Sequence, residues 1–127
     1  MDIAQIYNKL FTTGQLIRIP KKPEHRDLLL ATLSLPLERR YPYTELELND
    51  VLRQELGAMN ALVDHVSARR YLVDFGFVKR DAAGQRYFLN FLKQQEILPE
   101  PRHDEARTAL TSAITNAPQA RHGKDKK

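Results

Sequence analysis

The apolar residues between Met59 and Gly76 cannot all lie on one helix face, and this conflict constrains the chain more than any other feature. At about 100° per residue, Ala68, Leu72 and Phe75 share a face, whereas Leu62 and Val66 fall well off it. A break resolves the conflict. Asp64 is a residue type that caps a helix by accepting a backbone N–H of the first turn, and Gly76 supplies a stop. The pattern therefore predicts a separate helix over about residues 65–75. Beyond Gly76, Phe77-Val78-Lys79-Arg80 and Arg86-Tyr87-Phe88-Leu89 are two short runs of strand formers. Asp81-Ala82-Ala83-Gly84-Gln85 lies between them and has turn composition, so a hairpin is predicted.

Upstream, Ile3, Ile6, Tyr7, Leu10 and Phe11 recur at helical spacing and Gly14 ends the pattern, giving a short amphipathic helix over 2–12. Gln15 to Ile19 alternates briefly before Pro20-Lys21-Lys22-Pro23, which reads as an edge strand or an extended arm followed by a turn. Leu28, Leu29, Ala31, Leu33 and Leu35 place a helix over 24–35, stopped by Pro36. Thr44-Glu45-Leu46-Glu47 has the form of a capping box. The helix it opens draws apolar contacts from Leu46, Leu48, Val51, Leu52 and Leu56, and Gly57 closes it. Asn90 to Ile97 is a closing helix or a frayed arm. Residues 103–116 have moderate helix propensity between Pro101 and Pro118, and residues 121–127 are expected to be disordered.

Laid end to end, this is the order of a winged helix-turn-helix. The expected fold class is α+β, mainly α: three helices and a C-terminal β-hairpin, with an extra N-terminal helix and a partly disordered C-terminal tail. The expected division is a helix at 1–13, the winged-helix domain at 14–98 and a basic tail at 99–127. In such a fold the helix before the hairpin can enter the major groove while the hairpin lies along the backbone. The candidate contacts are Ser67, Arg69 and Arg70 on the third helix, with Lys79, Arg80, Gln85 and Arg86 on the wing. Arg is suited to bidentate contact with guanine or phosphate. Arg70 could instead pair with Asp74 four residues on.

The charge distribution allows a polyanionic partner, and equally a charged surface that only aids solubility. The net charge is +4; residues 1–59 hold eight basic and eight acidic side chains, whereas residues 60–93 hold six and three. A regional surplus of this kind steers phosphates and releases their counterions.

The same residues carry a resemblance. Asp64-His65, Arg69-Arg70, Leu72-Val73-Asp74, Gly76-Phe77, Arg80, Gly84 and Tyr87-Phe88 resemble the signature half of an uncharacterised bacterial family, a domain of unknown function often joined to arsenical-repressor-type transcriptional regulators. The upstream half is similar too, through Gly14-Gln15-Leu16-Ile17-Arg18-Ile19-Pro20-Lys21-Lys22, then Arg26 and the leucine run, then Tyr43-Thr44-Glu45 with Glu47, Leu48 and Asn49. It spans about residues 14–91. Ala68 departs from the family pattern, which tends to carry a larger aliphatic there. The resemblance implies a transcriptional regulator of winged-helix-like fold and implies no ligand, operator or catalytic residue.

The expectation is thus a DNA-binding transcriptional regulator that reads double-stranded DNA with helix 65–75 and the 77–91 wing. The alternative is a winged-helix module for docking to a protein or for homodimerisation, motivated by the Ile3/Ile6/Tyr7/Leu10 stripe. Catalysis is not expected. His25, His65, His103 and His122 lack metal-ligand spacing, Gly-rich phosphate loops are missing, and Cys is absent, so thiolate chemistry is excluded. No cofactor, metal or membrane is expected. The apolar runs are far shorter than the ~20 residues of a bilayer span, and Met1-Asp2-Ile3-Ala4 lacks the order of a signal peptide. The expected location is the cytoplasm.

Overall fold

The computed structural model describes residues 1–117, so the expected disorder at 121–127 lies outside the described residues. Asp2 opens the first helix, α1 (Ile3–Leu10), by accepting the Gln5 N–H at 3.0 Å. Its stripe of Ile3, Ile6 and Tyr7 is buried, as is Phe11 just beyond. Gly14, at φ +79°, then turns the chain. Of the two readings of residues 15–19, the extended arm is the one observed. Leu16 donates its N–H to the Met59 carbonyl at 3.2 Å and accepts the Leu62 N–H at 2.9 Å. Leu16 and Ile19 point inward while Ile17 and Arg18 face solvent.

Pro23 sits at the first position of α2 (Pro23–Ser34), where its missing N–H costs nothing. Every residue from Leu28 to Ser34 is buried, which makes α2 the axis of the core. A helix buried all round must satisfy its polar side chains internally, and it does. The Thr32 hydroxyl donates to the Leu28 carbonyl at 2.6 Å and also bonds the Tyr7 hydroxyl at 2.6 Å. Ser34 donates to Ala31, while the Gln94 amide donates to both the carbonyl and the hydroxyl of Ser34 at 3.0 Å. Burial pushes the Tyr7 phenol up to about 12, so it stays neutral.

The capping box forms as expected at the start of α3 (Glu45–Ala58): the Thr44 hydroxyl accepts the Glu47 N–H at 3.1 Å and Glu47 Oε1 accepts the Thr44 N–H at 2.8 Å. Two expectations fail here. Leu46 is 74% exposed, because the buried side of α3 runs through Leu48, Leu52 and Leu56 at four-residue intervals and Leu46 projects away from it. Gly57 does not close the helix, which continues through it to Ala58. The turn is made by Asn60 at φ +51°, whose side-chain amide donates to the Gly14 carbonyl at 3.1 Å.

The break before α4 (His65–Asp74) is where the apolar faces require it. Asp64 accepts the Ser67 N–H at 2.7 Å. Ala68 and Leu72 are buried, and Phe75 stacks on Tyr71 with ring centroids 5.9 Å apart. Gly76, at φ +83°, leads into the hairpin of β1 (Val78–Arg80) and β2 (Tyr87–Leu89), paired antiparallel with Val78 opposite Leu89 and Arg80 opposite Tyr87. Asp81 holds the turn by accepting the Gln85 N–H at 2.7 Å. A third backbone joins this sheet at one residue: Tyr43 and Tyr87 exchange N–H···O bonds of 2.9 and 2.8 Å.

The closing helix, not the frayed arm, is observed after the hairpin. Asn90 caps α5 (Phe91–Ile97), and its side-chain amide donates to the Gly76 carbonyl at 2.7 Å. A short 3-10 turn at Glu100–Arg102 leads to α6 (His103–Thr115). The fold is thus α+β and mainly helical. Helices α1 and α6 pack against each other and bury Ala106, Leu110 and Ala113 in the same core as α2. Arg107 ties α6 to α3 through Glu55 at 3.0 Å. No helix of the described residues is long and apolar enough to cross a membrane.

Candidate nucleic-acid interface

Arg69 and Arg70 leave α4 on different sides. The Arg69 side chain is only 18% exposed; it donates to the Asn49 side-chain carbonyl, lies 3.9 Å from a Glu45 oxygen and sits 6.0 Å from the Tyr87 ring centre. Glu45 and Asn49 are four residues apart, so they share the face of α3 that meets α4. Arg69 is therefore a strut between helices, in contrast to the solvent-facing contact expected from its sequence. Arg70 is exposed and has no ion-pair partner within 4 Å among the described residues, so the alternative pair with Asp74 does not form. With Val66 and Asp74 it forms the outward edge of α4 at four-residue spacing, and Val66 is 42% exposed. Ser67 is half-buried, with its N–H held by the Asp64 cap.

The four wing candidates are all exposed, but they do not form one patch. Strand alternation puts Arg80 on the side of Val78, Tyr87 and Leu89, and Lys79 on the opposite side with Phe88. Arg80 lies 5.2 Å over the Tyr87 ring and donates to the Gly84 carbonyl at 2.8 Å, which fixes its head near the turn. Arg86 lies near Glu47 and Asp81, and its positive charge helps to lower both carboxyls. Gln85 has its N–H bound to Asp81 and its side chain in solvent.

An open recess of about 300 Å³ separates α4 from the hairpin, and it is here that Arg70 and Arg80 come together, with Arg69 and Tyr87 behind them. Glu45 and Asp74 also line it, so three guanidinium groups face two carboxylates. The surplus is positive and small. Sequence reasoning missed Tyr43 as the residue that braces the hairpin and Asn49 as the partner of Arg69. The i,i+4 pair of acceptors Glu45 and Asn49 was the available signal for the latter.

Around the site, three carboxyls are held below their ordinary values by the backbone N–H groups they accept: Glu47 from Thr44, Asp64 from Ser67, and Asp81 chiefly from Gln85. Their charges belong to the caps and turn. Among the described residues no group of three or more His, Asp or Glu side chains is arranged to hold a metal.

Residues 15–89 match the family described as "Uncharacterized protein conserved in bacteria (DUF2087)", and the chain belongs to that family. The matched segment runs from the arm through α2, α3 and α4 to the end of the hairpin. No curated protein and no solved structure matches the chain.

Proposed function

We propose that this family member is a winged helix-turn-helix that binds double-stranded DNA in transcriptional regulation, with the outward edge of α4 and the hairpin as its contact surface. The order α2, the Tyr43 bridge, α3, α4, β1, β2 is the order such domains use, with the bridge standing in for their first strand. The observation that carries the reading is Arg70. It is an exposed guanidinium on the helix before the hairpin, without an ion-pair partner among the described residues, in the recess it shares with Arg80. Arg80, Lys79 and Arg86 supply backbone contacts, Gln85 and Ser67 are within the same two elements, and Arg69 contributes by fixing α4 on α3.

Duplex affinity measured against salt tests this. Each phosphate neutralised adds about 0.9 to the slope of log affinity against log salt, so Arg70→Ala should weaken binding and flatten the slope by about that amount. An Arg70→Ala variant with the parent's affinity and slope removes α4 from the interface. Docking to a protein or a second copy is the competing reading. Of the Ile3/Ile6/Tyr7/Leu10 stripe that suggested it, the first three residues are buried inside the molecule and Leu10 is half-buried.

A further inference from the structure

A second recess, of about 530 Å³, shares no residue with the one between α4 and the hairpin. It lies where the end of α1 meets the extended arm, and all four charged residues that line it are basic: Lys9, Arg18, Lys21 and Lys22. Leu10 and Ile17 give it an apolar wall, and Ile17 is 41% exposed. None of the four cations has an ion-pair partner within 4 Å among the described residues.

Lys9 alone has a local explanation, since it stands in the last turn of α1 where a cation favours the helix dipole. The other three do not. The Gly14 turn and the inward anchoring of Leu16 bring the arm back against α1, which concentrates like charges at a mutual cost. The neighbouring His25 responds to that field: burial, then the charges of Lys22 and Lys9, hold its imidazole below the ordinary value against the opposing pull of Glu24.

We propose that this recess binds a small phosphate monoester with an apolar organic part. A dianionic head offsets more of the four positive charges than a single carboxylate would, and Lys and Arg together provide point charge and bidentate donors for it. The volume falls in the range of small-molecule sites, and the Leu10/Ile17 wall accounts for the apolar part. A duplex backbone offers such a wall only the small C–H edges of its deoxyriboses between phosphates, whereas an organic monoester can lay its whole apolar part on Leu10 and Ile17, which favours the small ligand over nucleic acid. This site does not depend on the duplex reading of α4.

The test is calorimetric titration of the full chain at low salt with phenyl phosphate, beside inorganic phosphate and benzyl alcohol. Saturable one-to-one binding of phenyl phosphate is expected, tighter than inorganic phosphate, with none for the alcohol. Lys21→Gln with Lys22→Gln should weaken it at least about tenfold, as should Arg18→Gln, while Arg70→Gln leaves it unchanged. Circular dichroism and melting establish that the variants remain folded. The proposal is overturned by the absence of saturation at millimolar phenyl phosphate, by equal binding in the double variant, or by equal affinity for inorganic phosphate. Loss of duplex affinity in the Lys21/Lys22 variant, with no phenyl phosphate bound to the parent, would assign the recess to DNA phosphates and overturn it likewise.

Discussion

Arg69 and Arg70 are adjacent in sequence and do different physical work. Arg69 spends its guanidinium on Asn49 and Glu45 between two helices, whereas Arg70 meets water. Removing Arg69 strands the largely buried Asn49 carbonyl, so Arg69→Ala should lower unfolding free energy by about 1–3 kcal/mol. Urea denaturation would measure this, and an unchanged midpoint would show that the strut carries no stability. Arg70→Ala should leave that midpoint alone. The distinction was not visible from helical spacing, which tells which residues share a face and not what stands opposite. Leu46 shows the same limit in reverse: counted by its apolar character among the contacts of α3, it projects into solvent because no element of the described residues covers that side.

At the scale of elements, the sequence was most legible where a residue's side chain must bond its own backbone. The break at Asp64, the box at Thr44 and the Asp81 hairpin all follow from local donors and acceptors. Glycine was less transparent. Gly57 lies within α3 with nothing within 4 Å of an added Cβ, so Gly57→Ala should stabilise the protein by up to about 1 kcal/mol. Gly76 has as much room but a φ of +83°, and Gly76→Ala should cost about 1–2 kcal/mol. Thermal melts of the two variants shifting in opposite directions would check both.

The caps also set an acid limit. Asp64, Asp81 and Glu47 have native pKa values below their unfolded ones, so the unfolded chain binds more protons as the medium is acidified. Their stabilisation is complete above the ordinary carboxylate range near about 4 and is lost as pH falls through the lower native values. Asp64→Asn retains a capping acceptor but cannot titrate. Its melting temperature should therefore decline less steeply on acidification, and a slope identical to the parent's would exclude Asp64 from the effect.

For the whole molecule, α1 and α6 complete the wall around α2. The amphipathic α1 was readable from its spacing, and the firm docking of α6 was not, since its alanines carry little hydrophobic signal. Small side chains allow close approach, and Ala106 and Ala113 are buried with Leu110 against α1. Deleting residues 1–12 removes Ile3, Ile6, Tyr7 and Phe11, none more than 5% exposed, and opens the core to water. That truncation should lose cooperative unfolding in a urea titration, and a sharp transition at the parent's midpoint would show that α1 is dispensable.

The hydroxyls of Thr32 and Ser34 have a further effect. An all-leucine rod surrounded by oil could spin or slip among its neighbours with little penalty, and these two pegs, seated in Tyr7 and Gln94, index it. Replacing Tyr7 and Thr32 together with Phe and Val leaves no unmet polar group and should cost little, yet it should broaden the methyl NMR signals of α2. The molecule would hold together while forgetting its register.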